Sequence, residues 1–336
     1  MSSNVCVVTV TYGERYRLLA EVVKEVLAQG VTKIFIVDNN SSEFSRQRLR
    51  ELRDRNKNGI SVIQLSENTG PDNGFRLGLQ AAHSCREVDF VWLLDDDNKP
   101  EQNALQVLLD FWNRLEIQEK RNSCLTSLRK AFTTFEKSAA TNTPELPVGP
   151  LNSYRGFHVL EFGKRLSQKI FQKEHATASN KAYGELLVAP YGGMFFHKKL
   201  LSAIGYPDDR FFMYCGDYDF SNRIVKQGGK IFLILNSLIE DLDKSWHTRK
   251  AGPDFFKLAG SDADFRLYYD VRNRVYFELR ERVNHRIIYV LNMLIYSTLF
   301  LFSAVILQGF GKIPIYLEAI IDGMRGKLGK NEKIVM

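Results

Sequence analysis

The chain has 336 residues, 44% hydrophobic and 25% charged, enough apolar mass for one large core or two smaller ones and too much for a disordered chain. Its formal charge of +7 is uneven, with eleven Lys or Arg against six Asp or Glu from Phe265 to Met336. That imbalance points to an anionic surface such as phospholipid rather than a nucleic-acid groove, and no zinc-finger spacing or basic-leucine heptad supports nucleic acid. Cys6, Cys85, Cys124 and Cys215 lie far apart without a C-x-x-C pair, which predicts free thiols in a reducing compartment. No charged segment followed by an apolar stretch and cleavage site opens the chain, so its main part is expected in the cytoplasm.

In chain order, Val5 to Val10 (VCVVTV) predicts a first strand, Thr11-Tyr12-Gly13 its exit loop, and about Arg15 to Ala28 an amphipathic helix. Lys33 to Val37 predicts a second buried strand, ending in Asp38-Asn39-Asn40-Ser41-Ser42, a run suited to capping the next helix. Ile60 to Leu65 is a third strand, leading through Ser66 to Gly74 into a helix from Phe75 to His83. Val91 to Leu94 is a fourth, short, continuous and apolar, as expected of a strand buried on both faces. Strands alternating with helices predict a parallel α/β sheet with right-handed crossovers, which binds ligands outside the carboxyl ends of its strands. The polar clusters collect there.

Asp95, Asp96 and Asp97 follow the fourth strand directly. Repulsion in so dense a cluster is tolerable when a cation or strong donors neutralise it, and aspartates around a loop can hold a divalent cation through hard oxygen ligands. Alternation would point Asp95 and Asp97 one way and Asp96 the other, making Asp95-x-Asp97 the working unit. The competing reading is a solvated acidic turn capping a helix that starts near Glu101, with Pro100 in its first turn.

After a helix from Asn103 to about Glu116, residues 117–181 show weak periodicity, and TTFEKSAATNTPELPVGP reads as an exposed loop. Leu186 to His197 reads as a strand with a paired-glycine bend at Gly192-Gly193, where backbone can approach a ligand closely. Phe211 to Arg223 passes from an aromatic loop into a helix opening with Asp217 and Asp219. Lys230 to Leu235 is a further strand, Ser245-Trp246-His247 lies in the loop region after it, and Lys250 to Asp264 reads as a mobile connection.

From Ile287 to Phe310 there are 24 residues without a charge, long enough to cross a bilayer. Both flanks are basic, so a single crossing would set one basic set on the far side, whereas an in-plane helix or re-entrant hairpin keeps both on the cytoplasmic leaflet. Ile313 to Leu328 repeats apolar residues at helical spacing, as in an interfacial helix. A hydrophobic helix packed on the rest of the chain or on a second subunit is the alternative.

The motifs TVTYGER, IVDNNSS, ENTGPDNGFRLGL, WLLDDDNKPE, YGGMFF, GYPDDRFFMYCGDYDFSNR and SWH are individually weak. Their joint order resembles the family 2 inverting glycosyltransferases of GT-A fold, in particular the branch of bacterial rhamnosyl- and galactofuranosyltransferases. The resemblance runs from about Val5 to His247 and more loosely from Arg266 to Gly329. It implies a Rossmann-like mixed, mostly parallel sheet flanked by helices over residues 1–264, with a nucleotide-sugar half (1–100) and an acceptor half (101–264). Residues 265–336 would form a helical extension that associates with membrane or oligomerises.

The resemblance also implies roles. Thr11, Tyr12 and Asp38 would contact base and ribose, with Asn68 and Arg76 near nucleotide and diphosphate, although GPDNGF departs from the more glycine-rich run of relatives. Asp95 and Asp96 would face the donor. Asp97, with Asp95 and His247, would hold Mn2+ or Mg2+ bridging the donor phosphates. Asp217 matches the general base, with Asp219 as competitor or acceptor-orienting group. Gly192 and Gly193 would let the acceptor sugar approach the backbone, and Tyr191, Tyr214, Phe211 and Phe212 offer stacking faces, the last two being equally suited to the core. The implied activity is metal-dependent transfer of a sugar from UDP-galactofuranose or dTDP-rhamnose. The acceptor would be a glycan or a polyprenyl-diphosphate-linked sugar at the cytoplasmic face of the inner membrane, in O-antigen or capsule synthesis. The rivals are a non-catalytic membrane-attached scaffold and a sugar-nucleotide pyrophosphorylase, which would need a glycine- and arginine-rich loop where Thr11 to Arg15 stands.

Overall fold

A computed structural model describes residues 4–120, 122–161, 181–243 and 253–334. These fall into two compact units, one drawn from Met1–Pro144, Lys181–Phe212 and Gly216–Thr248, the other from Glu145–Asn180, Met213–Cys215 and Arg249–Met336.

The first unit is built on a nine-stranded sheet. Its leading half alternates β1 (Val5–Gly13), α1 (Tyr16–Ala28), β2 (Lys33–Ser41), α2 (Glu43–Arg55), β3 (Ile60–Gln64), α3 (Gly70–Ser84) and β4 (Phe90–Asp95). The four strands lie parallel in the order β3-β2-β1-β4. Val5 to Val8 and Val91 to Leu94 are buried together, which is why these runs carry no polar alternation.

The chain then reverses into β5 (Asn98–Pro100) and continues through α4 (Ala104–Arg114), α5 (Ile117–Lys120), β6 (Cys124–Arg129) and α6 (Thr133–Thr141). It goes on to β7 (Tyr183–Leu186), β8 (Met194–His197), α7 (Leu200–Ile204), a 3-10 turn at Asp209–Phe211, α8 (Gly216–Lys226) and β9 (Ile231–Asp241). β8 runs antiparallel between β4 and β6, β9 lies parallel to β6, and β5 and β7 pair antiparallel along the far side of β9. The result is the expected mixed, mostly parallel sheet flanked by helices.

Local expectations need correction at five places. The single strand expected over Leu186 to His197 is two, β7 ending at Leu186 and β8 starting at Met194, with the glycine pair in the turn between them. Pro100 does not open a helix: it ends β5, a short edge strand against Ile239, where its missing N–H is tolerated. α3 begins at Gly70, five residues before the expected start, because Pro71 occupies its first turn with φ already set. TTFEKSAAT is a helix, not a loop, since Phe135, Ser138 and Ala139 make a narrow buried face that meets the backbone of Gly184. β6 carried no recognisable period because all six of its residues are buried.

The second unit is helical, with α9 (Asp254–Ala259), α10 (Asp264–Glu281), α11 (Arg286–Ile306) and α12 (Lys312–Arg325). α10 is buried along most of its length and carries ionised side chains inward. Arg274 pairs with Glu278 at 2.6 Å, and Arg155 reaches Asp270 at 2.8 Å and Asp254 at 2.9 Å.

Candidate active site

The turn between β4 and β5 places Asp95, Asp96 and Asp97 at the carboxyl edge of the sheet. Asn98 shapes it by accepting from Asp95 N at 3.2 Å and donating to Asp97 at 3.1 Å. Asp96 is buried: Thr11 Oγ1 donates to it at 2.8 Å and Arg15 Nε at 2.9 Å. The same guanidinium donates to Asp97 at 3.0 Å and to Asp243 at 2.9 Å. On the other side Arg129, lying on the Phe132 ring, donates to Asp95 at 3.0 Å and to Asp241 at 2.9 Å.

Burial drives the Asp96 carboxyl up to about 6 against the pull of Arg15 and Thr11. It drives Asp97 up to about 7 with the help of the Asp95 and Asp96 charges, again against Arg15. Residue 192 must be glycine here, because a Cβ would lie 1.9 Å from Asn98 Oδ1 and 2.8 Å from Asp95 Oδ2. Gly193 takes φ +108 and donates to Leu93 O at 2.8 Å, tying the glycine pair to the end of β4.

A second acid group forms at the N-terminus of α8. Asp72 is buried and accepts from the Tyr191 hydroxyl at 2.8 Å, while the Tyr191 ring lies 4.5 Å from Phe75. The Asp72 carboxyl presses on Gly216, where a Cβ would meet its oxygen. Burial and the charges of Asp217, Asp219 and Asp208 hold Asp72 well above the usual carboxylate range, with only the Tyr191 hydrogen bond pulling it down. Asp217 accepts from Tyr218 N at 2.9 Å. Burial pushes it up to about 7, and the Asp95 charge adds to this while Arg129 opposes it. Tyr191, which donates to Asp72, is followed by Gly192, whose backbone lies against Asp95, so the two clusters meet across this dipeptide. Asp219 is tied to Arg223 on its own helix at 3.4 Å.

Other expected site residues lie as follows. Tyr12 is half exposed, 5.4 Å from the Arg15 guanidinium. Asp38 does not cap α2, a task done by Ser42; it accepts from Ser41 N at 2.8 Å and from Arg46 at 3.3 Å. Asn68 accepts from Asn39 and from Gly70 N, both at 3.0 Å. Arg76 is ion-paired with Asp209 at 2.6 Å. Tyr214 belongs to the second unit, has φ +64, and its carbonyl accepts from Asn273 at 3.0 Å. Phe211 and Phe212 are core residues. His247 and Trp246 lie outside the described residues.

The sequence reading missed Arg15, Arg129, Asp241 and Asp72. Arg15 closes the TYGER run, and Asp72 stands at the departure from the glycine-rich loop, so both had a local signal. Arg129 and Asp241 had none, being 112 positions apart.

Among the described residues, no three His, Cys, Asp or Glu side chains form a ready-made metal shell. The donor chemistry nevertheless fits a hard divalent cation: carboxylates of Asp95, Asp97 and Asp241 surround the turn, and Asp241 Oδ2 is buried without a hydrogen-bond partner.

Residues 6–118 match the family described as Glycosyl transferase family 2. The chain is 26% identical to the galactofuranosyltransferase GlfT1 of Mycolicibacterium smegmatis over 230 residues, 67% of this chain and 66% of that one. Among solved structures it is similar to GalNAc-T7, crystallised with UDP, GalNAc and Mn2+ (TM-score 0.49, 15% identity, covering 74% of this chain and 45% of that one). It is also similar to TarS of S. aureus (TM-score 0.46, 13% identity, 82% and 43%) and to TarS residues 1–349 (TM-score 0.46, 13% identity, 96% and 92%). The match thus spans just under two thirds of GlfT1 and under half of the longer solved chains.

Proposed function

We propose that the chain is an inverting glycosyltransferase that moves a sugar from a nucleoside-diphosphate donor to a sugar hydroxyl. The observation that carries this reading is that two acid groups from distant parts of the chain meet across Tyr191-Gly192: Gly192 lies against Asp95 and Asn98 at the end of β4, and Tyr191 donates to Asp72, which lies against Gly216 beside Asp217 at the start of α8. Thr11, Tyr12, Asp38 and Asn68 line the carboxyl ends of the parallel strands and bind base and ribose, and Arg76 lies toward the diphosphate.

Asp97 with Asp95 would hold Mn2+ or Mg2+, which would supply positive charge to offset that of the donor diphosphate. Arg15 and Arg129 keep these carboxylates oriented and partly neutralised when no cation is near. Asp217 takes the proton from the acceptor hydroxyl as its oxygen attacks the anomeric carbon. Its raised pKa suits this work near neutral pH. Asp219, Gly192, Gly193 and Tyr191 shape the acceptor side.

The similarity to GlfT1 favours UDP-galactofuranose as donor, with dTDP-rhamnose second. The basic, apolar C-terminal helices favour a polyprenyl-diphosphate-linked acceptor at the cytoplasmic leaflet of the inner membrane, in surface-polysaccharide synthesis. Titration of UDP into the protein with Mn2+ tests the reading. Asp97→Ala should weaken UDP binding at least tenfold; binding equal to the parent protein would overturn it.

A further inference from the structure

Helix α11 turns Asn292, Ser303 and two tyrosines inward beside Met293, Phe300 and Ala304, and exposes a largely apolar face. Tyr289, Asn292, Met293, Tyr296, Phe300 and Ser303 face the interior of the second unit. On the opposite side, at about 100° per residue, stand Ile287 (86% exposed), Leu291, Leu294 (58%), Phe302 (65%), Val305 and Ile306. A helix at a protein–water surface has the reverse pattern.

The inward polar groups are satisfied within the unit. Asn292 donates to Asn152 O and accepts from Val159 N, both at 2.9 Å, Tyr289 donates to Glu278 at 3.2 Å, and Ser297 meets Tyr316 at 2.9 Å. On the outward face Thr298 donates back to Leu294 O at 3.0 Å, so its hydroxyl does not require water.

At 21 residues α11 is long enough to span a bilayer. It is, however, packed against the unit that holds the Arg155–Asp254, Arg155–Asp270 and Arg274–Glu278 ion pairs, and upright insertion would draw ionised groups into hydrocarbon. We infer that α11 lies in the plane of an anionic lipid bilayer without spanning it, with Ile287, Leu291, Leu294, Phe302 and Val305 in the acyl boundary. α12 adds the exposed stripe Leu317, Ile321 and Met324.

Charge complementarity selects lipid as the occupant. Arg286 opens α11, Arg325 closes α12 and Lys333 follows, all exposed. A second copy of the chain would bring this cationic rim against itself.

The test is flotation of the full chain with vesicles of phosphatidylcholine and phosphatidylglycerol. The parent protein should float, with binding falling several-fold when phosphatidylglycerol is omitted. Leu294→Glu/Phe302→Glu and the milder Leu294→Gln/Phe302→Gln should keep the parent melting temperature and lose at least tenfold in bound fraction. Failure of the parent protein to float would overturn the inference, as would flotation of both variants at the parent level. So would light scattering that finds a dimer in the parent protein alone, broken by the same substitutions. With Arg286→Cys and Gly311→Cys on sealed vesicles, a membrane-impermeant maleimide should label both from the side of addition, and labelling of only one would mean a span. These measurements read lipid binding without turnover, so their failure is distinct from failure of the transferase reading.

Discussion

The two acid groups of the first unit solve the same problem in different ways. At the β4–β5 turn Asp95, Asp96, Asp97 and Asp241 are threaded by two guanidiniums, Arg15 and Arg129. At the α8 terminus Asp72 meets a tyrosine hydroxyl where Asp96 meets an arginine, and it lies within range of the Asp217 charge. The guanidiniums offset part of the rise that burial imposes, leaving Asp96 at about 6 and Asp97 at about 7. In the second cluster a hydroxyl stands in for the guanidinium, Asp72 is held well above the usual carboxylate range, and Asp217, pushed up to about 7, ionises near neutral pH and can then accept a proton. In the proposed mechanism the first cluster would hold phosphate charge and the second would move a proton.

The largest effect expected is on Asp217. Asp217→Asn should lower transfer by about 10³-fold, within the usual range for a positioned general base, while UDP affinity measured by calorimetry stays within about twofold of the parent. Retained turnover would dissolve the contrast between the clusters. Next comes Arg129→Met, which leaves Asp95 and Asp241 facing each other without their shared cation. Loss of one partner from a buried ionic group costs about 3 to 5 kcal/mol, readable as a shift of the urea midpoint at unchanged slope.

A smaller effect is carried by pH. Asp72 and Asp217 have native pKa values above their unfolded ones, so they bind more protons folded than unfolded. The stability they lend is complete below the ordinary carboxylate value of 3.8 and is lost as pH rises, through about 7 for Asp217. Thermal unfolding followed from pH 5 to pH 8 should fall in midpoint, and Asp72→Asn should flatten that fall. Transfer runs the other way, rising through about pH 7 as Asp217 ionises. The smallest change is Tyr191→Phe, which removes one donor from a buried carboxyl and should cost about 1 to 2 kcal/mol; no loss would mean that Asp72 is solvated.

Particular residues explain what could be read in advance. The β4 run FVWLLDDD announces a buried strand with an acidic end because burial on both faces erases alternation and the carboxylates can stand only at its edge. α6 was hidden because its buried face is one phenylalanine and two small residues, too narrow to register as an apolar stripe among Thr, Lys and Ser. The ion pair of Arg76 with Asp209 could not be read in advance, because it depends on where the 3-10 turn falls, which no local pattern encodes.

The sequence by itself determined the order of strands and helices as far as β4, the acidic strand end, the glycine pair and the apolar C-terminal stretch, because each is a periodicity or composition confined to a few consecutive residues. Only the tertiary structure decided that Arg129 would bridge Asp95 and Asp241, that Asp72 would lie against Gly216 beneath Tyr191, and that α11 would turn its Asn and Tyr side chains inward. Those outcomes depend on which distant segments share a buried space. A buried polar group accepts whichever partner satisfies it, and such a partner leaves no mark on its sequence neighbours.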